Sequence, residues 1–184
     1  MTALERLEVS DALLLVIDVQ DRLLPAIAGH EACTAGVRKL VQAARVLGLP
    51  TLLTEQYPAG LGRTCAPVRE ALAADVVAVE KTRFTACVDP VALRLRELNR
   101  RHVLVAGIET HICVQQTVLD LLRLGCVPYV CADAVSSRRV LDHDTGLARM
   151  RQAGAIVTTV ESAVFEMLGE AGTEQFKQVL KIVK

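Results

Sequence analysis

The sequence predicts an α/β protein, three-layer α/β/α, with helices on both faces of an open, mostly parallel sheet of six strands. Three observations carry that expectation. Short apolar runs alternate with longer amphipathic ones along the 184 residues. The short runs are continuously apolar rather than alternating, the pattern of strands covered on both faces. Gly48, Gly125 and Gly154 each fall where a helix should stop, just ahead of strands beginning near Pro50, Val127 and Ala155.

Taken in order, "ALLLVID" reads as the first strand, ending on Asp18. Residues 31–47 follow as a helix, with Val37, Leu40, Val41 and Ala44 on one face at helical spacing. Next come "PTLLTE" as a strand, "VREALAA" as a short helix, "DVVAVEK" as a strand and "PVALRLRELNR" as a helix. "HVLVAG" is a strand, "THICVQQTVLDLLRLG" a helix with Thr110 as its N-cap, and "VPYVCADA" a strand. A helix over 143–153, the strand "AIVTTV" and one or two terminal helices complete the pattern. Parallel strands joined by helices imply right-handed crossovers. No Pro- or Gly-rich linker and no repeat divides the chain, so residues 1–184 are expected to form a single domain.

Composition narrows the function classes. Apolar residues are 52% and charged residues 23% of the chain, as in a globular protein. Lys plus Arg equals Asp plus Glu at 21 each, Trp is absent and aromatics are 3%. Neither a nucleic-acid partner nor an anionic membrane surface is therefore expected. The N-terminus lacks the basic start and cleavage site of a signal peptide, and the apolar run Ala12–Ile17 is too short to span a bilayer. A cytoplasmic location is the expectation, with six reduced cysteines serving mostly as small apolar residues. A mean hydropathy of +0.35 implies more apolar surface than a monomer readily exposes, hence a homo-oligomer.

Several chemistries lack their residues. "VIDVQDRLLP" holds no glycine for a dinucleotide loop, and neither a P-loop nor a G-x-S-x-G elbow occurs. His30, His102, His111 and His143 share no metal-ligand spacing, and no C-x-x-C pair appears. No metal and no cofactor are expected. What remains is a carboxylate, an amine and a thiol, each just past the carboxyl end of a strand: Asp18, Lys81 and Cys113. In an open α/β sheet that is where ligands bind.

Each residue alone has an ordinary reading: a buried packing thiol, a capping carboxylate, a solvated lysine. Together they describe a nucleophile. A helix N-terminus and a nearby ammonium favour thiolate, and a carboxylate can take the thiol's proton.

On these residues the chain resembles the isochorismatase-like cysteine hydrolases, over essentially its whole length and closest to the isochorismatase-domain-containing branch. "LLLVIDVQDRLLPAI", "TEQYPAGLGRT", "EKTRFTAC", "GIETHICVQQTVLDLLRLG", "VCADAVSSR" and "ESAVFEML" carry the resemblance, in family order. It implies an Asp18–Lys81–Cys113 triad, the sheet order 3-2-1-4-5-6, and a cis peptide at Ile108–Glu109. That bond would turn the Glu109 amide, beside that of Cys113, toward an oxyanion.

Two departures limit what carries over. "TEQYPAGLGRT" has none of the histidines with which related nicotinamidases bind metal. Cys113 stands where isochorismate-cleaving members have another residue. The expected reaction is hydrolysis of a C–N, amide-type bond in a small-molecule substrate. The alternative is a non-catalytic, oligomeric or redox-responsive protein with a reactive Cys113. Gln20, Gln56, Tyr57, Phe84 and His111 lie in the same loops and are read as pocket residues. Arg138 and Arg139 are read as anion-binding or ion-paired, and Asp142–Asp144 as a helix start.

Overall fold

The apolar runs become the six strands of one sheet in a computed structural model, which describes residues 6–184. The reading of the N-terminus as lacking a signal start rests partly on residues 1–5, outside the described residues. In chain order the elements are β1 (Ala12–Ile17), α1 (His30–Leu47), β2 (Thr51–Gln56), α2 (Pro58–Leu61), α3 (Ala66–Ala71) and β3 (Ala78–Lys81). There follow α4 (Asp89–Leu98), β4 (His102–Ile108), a π-helical turn (Thr110–Val114), α5 (Gln115–Arg123) and β5 (Val127–Ser136). Then come α6 (Val140–Gln152), β6 (Ile156–Thr158), α7 (Val160–Leu168) and α8 (Glu174–Val183).

The strand order is β3-β2-β1-β4-β5-β6, and every pairing is parallel, as the resemblance implied. Both faces of the central strands are covered. Along β1, Leu14 and Val16 enter the core shared with α1, α3, α7 and α8, while Leu13, Leu15 and Ile17 enter the core shared with α4, α5 and α6. That is why β1 is apolar at every position and β4 at every position after His102, with both strands buried throughout.

This order makes β1 and β4 the switch point, with connections leaving in opposite directions and a crevice opening at their carboxyl ends. Register sets what faces it. Ile17 lies opposite Thr54 on one side and Gly107 on the other, and Gln56 lies opposite Lys81. Gly107 has φ +130°, and a Cβ there would lie 2.0 Å from the Ile17 carbonyl oxygen. Only glycine allows β1 and β4 to approach so closely just before the segments that hold Asp18 and Glu109.

Element boundaries shift where a residue has a stronger local partner. Only the last four residues of "DVVAVEK" pair with β2, and Val77 is left 79% exposed. β6 stops at Thr158 because Thr159 caps α7, its hydroxyl accepting from the Ser162 amide. α6 starts at Val140 rather than 143, which puts Asp142 in its first turn. The four-residue α2 is too short to show a periodicity.

All six cysteines are free. Burial pushes Cys33 and Cys87 from 9.0 up to about 12 and raises Cys131 still further. The folded chain thus keeps protons that the unfolded chain gives up, so their contribution is complete below pH 9 and is lost as pH rises toward 12. Thermal stability should hold up to about pH 9 and then fall, by about 1.4 kcal/mol per pH unit for each such thiol. Melting curves between pH 8 and 11 check this. A midpoint unchanged above pH 9 would contradict it.

Candidate active site

Asp18 is the first residue past β1, in a left-handed conformation with φ 54°. Its amide donates to the Thr54 carbonyl (3.1 Å), which holds the residue against β2. The carboxylate has no exposure and is met from two strands. Thr54 Oγ1 donates to Oδ1 at 2.7 Å, and Lys81 Nζ donates to Oδ2 at 2.6 Å. The Lys81 side chain is also fully buried. Its ammonium reaches three neutral acceptors besides Asp18: Gln56 Oε1 at 2.8 Å, the Phe84 carbonyl at 3.1 Å and the Arg83 carbonyl at 3.3 Å. Four acceptors surround three N–H bonds, so the ammonium is fully committed to the protein.

Cys113 lies within the π-helical turn, 6% exposed, close enough to Asp18 and Lys81 for both charges to act on its sulfur. The Glu109 amide lies near the same sulfur. The Ile108–Glu109 peptide bond is cis. The three side chains of the sequence reading therefore meet in one cluster.

Its resting electrostatics differ from the expectation. The sulfur was expected as a thiolate at a helix tip. Instead, burial first and the Asp18 charge second push the thiol up to about 12, against the pull of Lys81 and the Glu109 amide. Burial likewise raises the Asp18 carboxyl above its ordinary value, outweighing Lys81, Thr54 and Cys113. The cause is position: the sulfur sits ahead of α5 rather than in its first turn, shut from water and facing a carboxylate. At rest the thiol is protonated.

The Thr110 cap is also corrected. Glu109 occupies the position before the turn, and its carbonyl accepts from Ile112 (3.0 Å) and Val114 (3.2 Å). Thr110 Oγ1 instead meets His143 Nδ1 at 2.9 Å. The buried Glu109 carboxylate accepts from the Arg138 amide (2.9 Å) and Nε (3.1 Å), so Arg138 is ion-paired and ties the turn to the loop after β5. Arg139 pairs with Asp142 at 2.8 Å.

The five residues read as pocket-lining separate into two groups. Gln20 has no exposure: its amide accepts from Gln56 N (2.8 Å) and donates to the carbonyls of Gln56 (3.0 Å) and Gly62 (2.6 Å). Gln56 in turn holds the Lys81 ammonium and donates to the Thr82 carbonyl (2.8 Å). Both are scaffolding for the cation rather than walls of a hollow. His111 bonds Ser137 Oγ through Nδ1 at 2.9 Å. Tyr57 and Phe84 do stand open, 57% and 54% exposed. Tyr57 lines a hollow of about 520 Å³ together with Pro58, Lys81, Thr82 and Arg83. A larger hollow of about 660 Å³, at the amino ends of β2 and β3, contains none of the three clustered residues.

Three residues escaped the sequence reading. Thr54 is a hydroxyl inside an apolar strand, and Thr117 is a hydroxyl on the buried face of α5. Each gave a weak signal, polarity at a core position. Glu55 is nearly fully buried and accepts from the Thr64 amide and hydroxyl, both at 2.7 Å. With the Gln20–Gly62 bond it ties down the base of the loop 57–63. Among the described residues, no three His, Cys, Asp or Glu side chains are grouped to hold a metal ion, and no helix is long and apolar enough to cross a membrane.

With this geometry in place, residues 12–162 match the family model of the isochorismatase domain. Isochorismatase domain-containing protein 2A of Mus musculus is 39% identical over 99% of this chain and 87% of its own length. Isochorismatase domain-containing protein 1 of Salmo salar is 38% identical over 91% of this chain, which spans only 59% of that protein. Among solved structures, the MAR1 ribonuclease of Caenorhabditis elegans superposes with a TM-score of 0.94 at 37% identity. That superposition covers 97% of this chain and 92% of that one.

Proposed function

The chain belongs to the isochorismatase family, and from that premise we propose that it is a cysteine hydrolase cleaving a C–N, amide-type bond in a small molecule. The observation that carries the reading is the Cys113 thiol set beside a carboxylate that is itself held by a buried ammonium.

In the first half-reaction the S–H proton passes to Asp18 as sulfur attacks the substrate carbonyl carbon, so no free thiolate is needed at rest. The carbonyl oxygen takes the negative charge and is received by the amides of Glu109 and Cys113. Asp18 then gives its proton to the departing nitrogen as the C–N bond breaks, leaving a thioester on Cys113. In the second half-reaction Asp18 deprotonates water, the hydroxide adds to the thioester, and the proton returns to sulfur as the acid leaves. Lys81 takes no part in these proton transfers and holds Asp18 in place, with its N–H bonds directed at Asp18, Gln56 and two backbone carbonyls.

The test is an activity screen over amides, hydroxamates, carbamates and ureido compounds, with Cys113→Ala as control. Turnover by wild type alone supports the reading, and trapping of an acyl group on Cys113 establishes the intermediate. The Caenorhabditis elegans protein is named a ribonuclease, so an RNA oligonucleotide joins the screen. RNA cleavage that survives Cys113→Ala would overturn the cysteine mechanism.

A homo-oligomer is part of the same proposal, supported by four apolar side chains left open on the surface. Val77, Leu93, Val140 and Leu141 are 79%, 56%, 64% and 76% exposed. Sedimentation equilibrium should return a mass that is a multiple of 19.9 kDa. A monomer at micromolar concentration refutes it.

A further inference from the structure

Thr117 lies one helical turn beyond Cys113 and has no exposure. Its hydroxyl donates to the Cys113 carbonyl at 2.6 Å, the ordinary back-bond of a helical threonine. The same oxygen also accepts from the Ala86 amide at 2.8 Å, across 31 positions of sequence. Ala86 closes the loop whose Arg83 and Phe84 carbonyls hold the Lys81 ammonium. A second tie runs the same way, from Cys87 Sγ to the Thr117 carbonyl. One hydroxyl therefore joins the residue bearing the nucleophile to the loop enclosing the cation.

We infer that Thr117 is a positioning residue for the cysteine site, a brace that fixes the separation between the turn carrying Cys113 and the Lys81 enclosure. The inference rests on reading Cys113 as the reactive thiol, but not on any particular substrate. The two fixed ends define what the brace does. Cys113 and Lys81 hang from different strands, β4 and β3, with β1 and β2 between them. Strand pairing sets their height on the sheet but not the gap between the loops above it. Without the hydroxyl, the Ala86 amide and one acceptor position on the Cys113 carbonyl lose their partner in a dry interior. The loops must then part or admit water.

The experiment reads the thiol directly. Wild type, Thr117→Ser and Thr117→Val are alkylated with iodoacetamide, the modified cysteine is identified by mass spectrometry, and folding is checked by circular dichroism at the assay temperature. The serine variant keeps the hydroxyl and should label Cys113 within about threefold of wild type. The valine variant keeps the shape but loses the tie, and should label it at a rate at least about 10-fold different from wild type, faster where parted loops open the buried sulfur and slower where its charged neighbours are displaced. If the valine protein does not fold, Thr117→Ala is measured in its place and should again differ from serine. Equal labelling of the folded hydroxyl-free variant and wild type overturns the brace and leaves Thr117 as packing alone. Absence of turnover on every screened substrate, with the serine–valine difference intact, would refute the hydrolase reading and not this one.

Discussion

Cys113→Ala is expected to remove turnover, by about 10⁴-fold or more, while the protein folds and melts almost as before. The two halves of that expectation have separate causes. Sulfur supplies the bond to the substrate carbon, and neither the Asp18 carboxylate nor an amide can replace it in forming a thioester. The fold loses little, because the Asp18 carboxylate keeps both Thr54 and Lys81 as partners. A cost of about 1 kcal/mol is the scale for such a small deletion. Steady-state kinetics on any substrate from the screen, with thermal melts of the same preparations, measure both. Turnover preserved in the folded alanine protein would show that the nucleophile is elsewhere.

Lys81→Met is expected to do the reverse, damaging the fold as much as the chemistry. The methionine occupies much of the volume but leaves the Asp18 carboxylate buried with Thr54 and the Cys113 thiol as its partners. Breaking a buried pair from one side costs about 3–5 kcal/mol. The carboxyl, already raised by burial, rises further once the opposing cation is gone. A folded-state value above the unfolded 3.8 means stability that is complete below that pH and is lost as pH rises through the folded value. The variant should therefore lose more stability, relative to wild type, at pH 7.5 than at pH 5. The higher carboxyl also lowers the fraction of Asp18 that is ionised and able to accept a proton from sulfur, so turnover should fall with it. Adding Asp18→Asn to Lys81→Met should recover stability without activity. A single variant that melts like wild type at both pH values would mean the pair contributes nothing.

The fold was legible because burial on two faces leaves a simple mark, uninterrupted apolar runs, which β1 carries throughout and β4 carries after His102. The cluster was legible in part. Asp18, Lys81 and Cys113 stand out as chemistry at strand ends, and the sheet order brings those ends together. The residues that hold them were not legible to the same degree. Gln20 and Gln56 looked like pocket walls because polarity in a loop after a strand suggests a ligand; their partners proved to be backbone groups 36 and 26 positions away and, for Gln56, the Lys81 ammonium. Thr54 and Thr117 looked like ordinary core threonines, since a hydroxyl's partner is set by tertiary geometry. The protonation of Cys113 was misjudged for a related reason. A helix tip can be read from sequence, whereas exclusion of water and the facing carboxylate cannot.

The stapling of the 57–63 loop by Glu55 and Gln20 has an evolutionary corollary. Its anchors are buried and shared with the scaffold of the cation, while its crest, with Ala59 and Gly60 beside Tyr57, is exposed. Changes at the crest can retune which compounds are admitted, because the fastening beneath them belongs to other residues. Diversification of such a protein should accordingly concentrate in rim side chains, leaving a fixed reaction apparatus behind an exchangeable doorway.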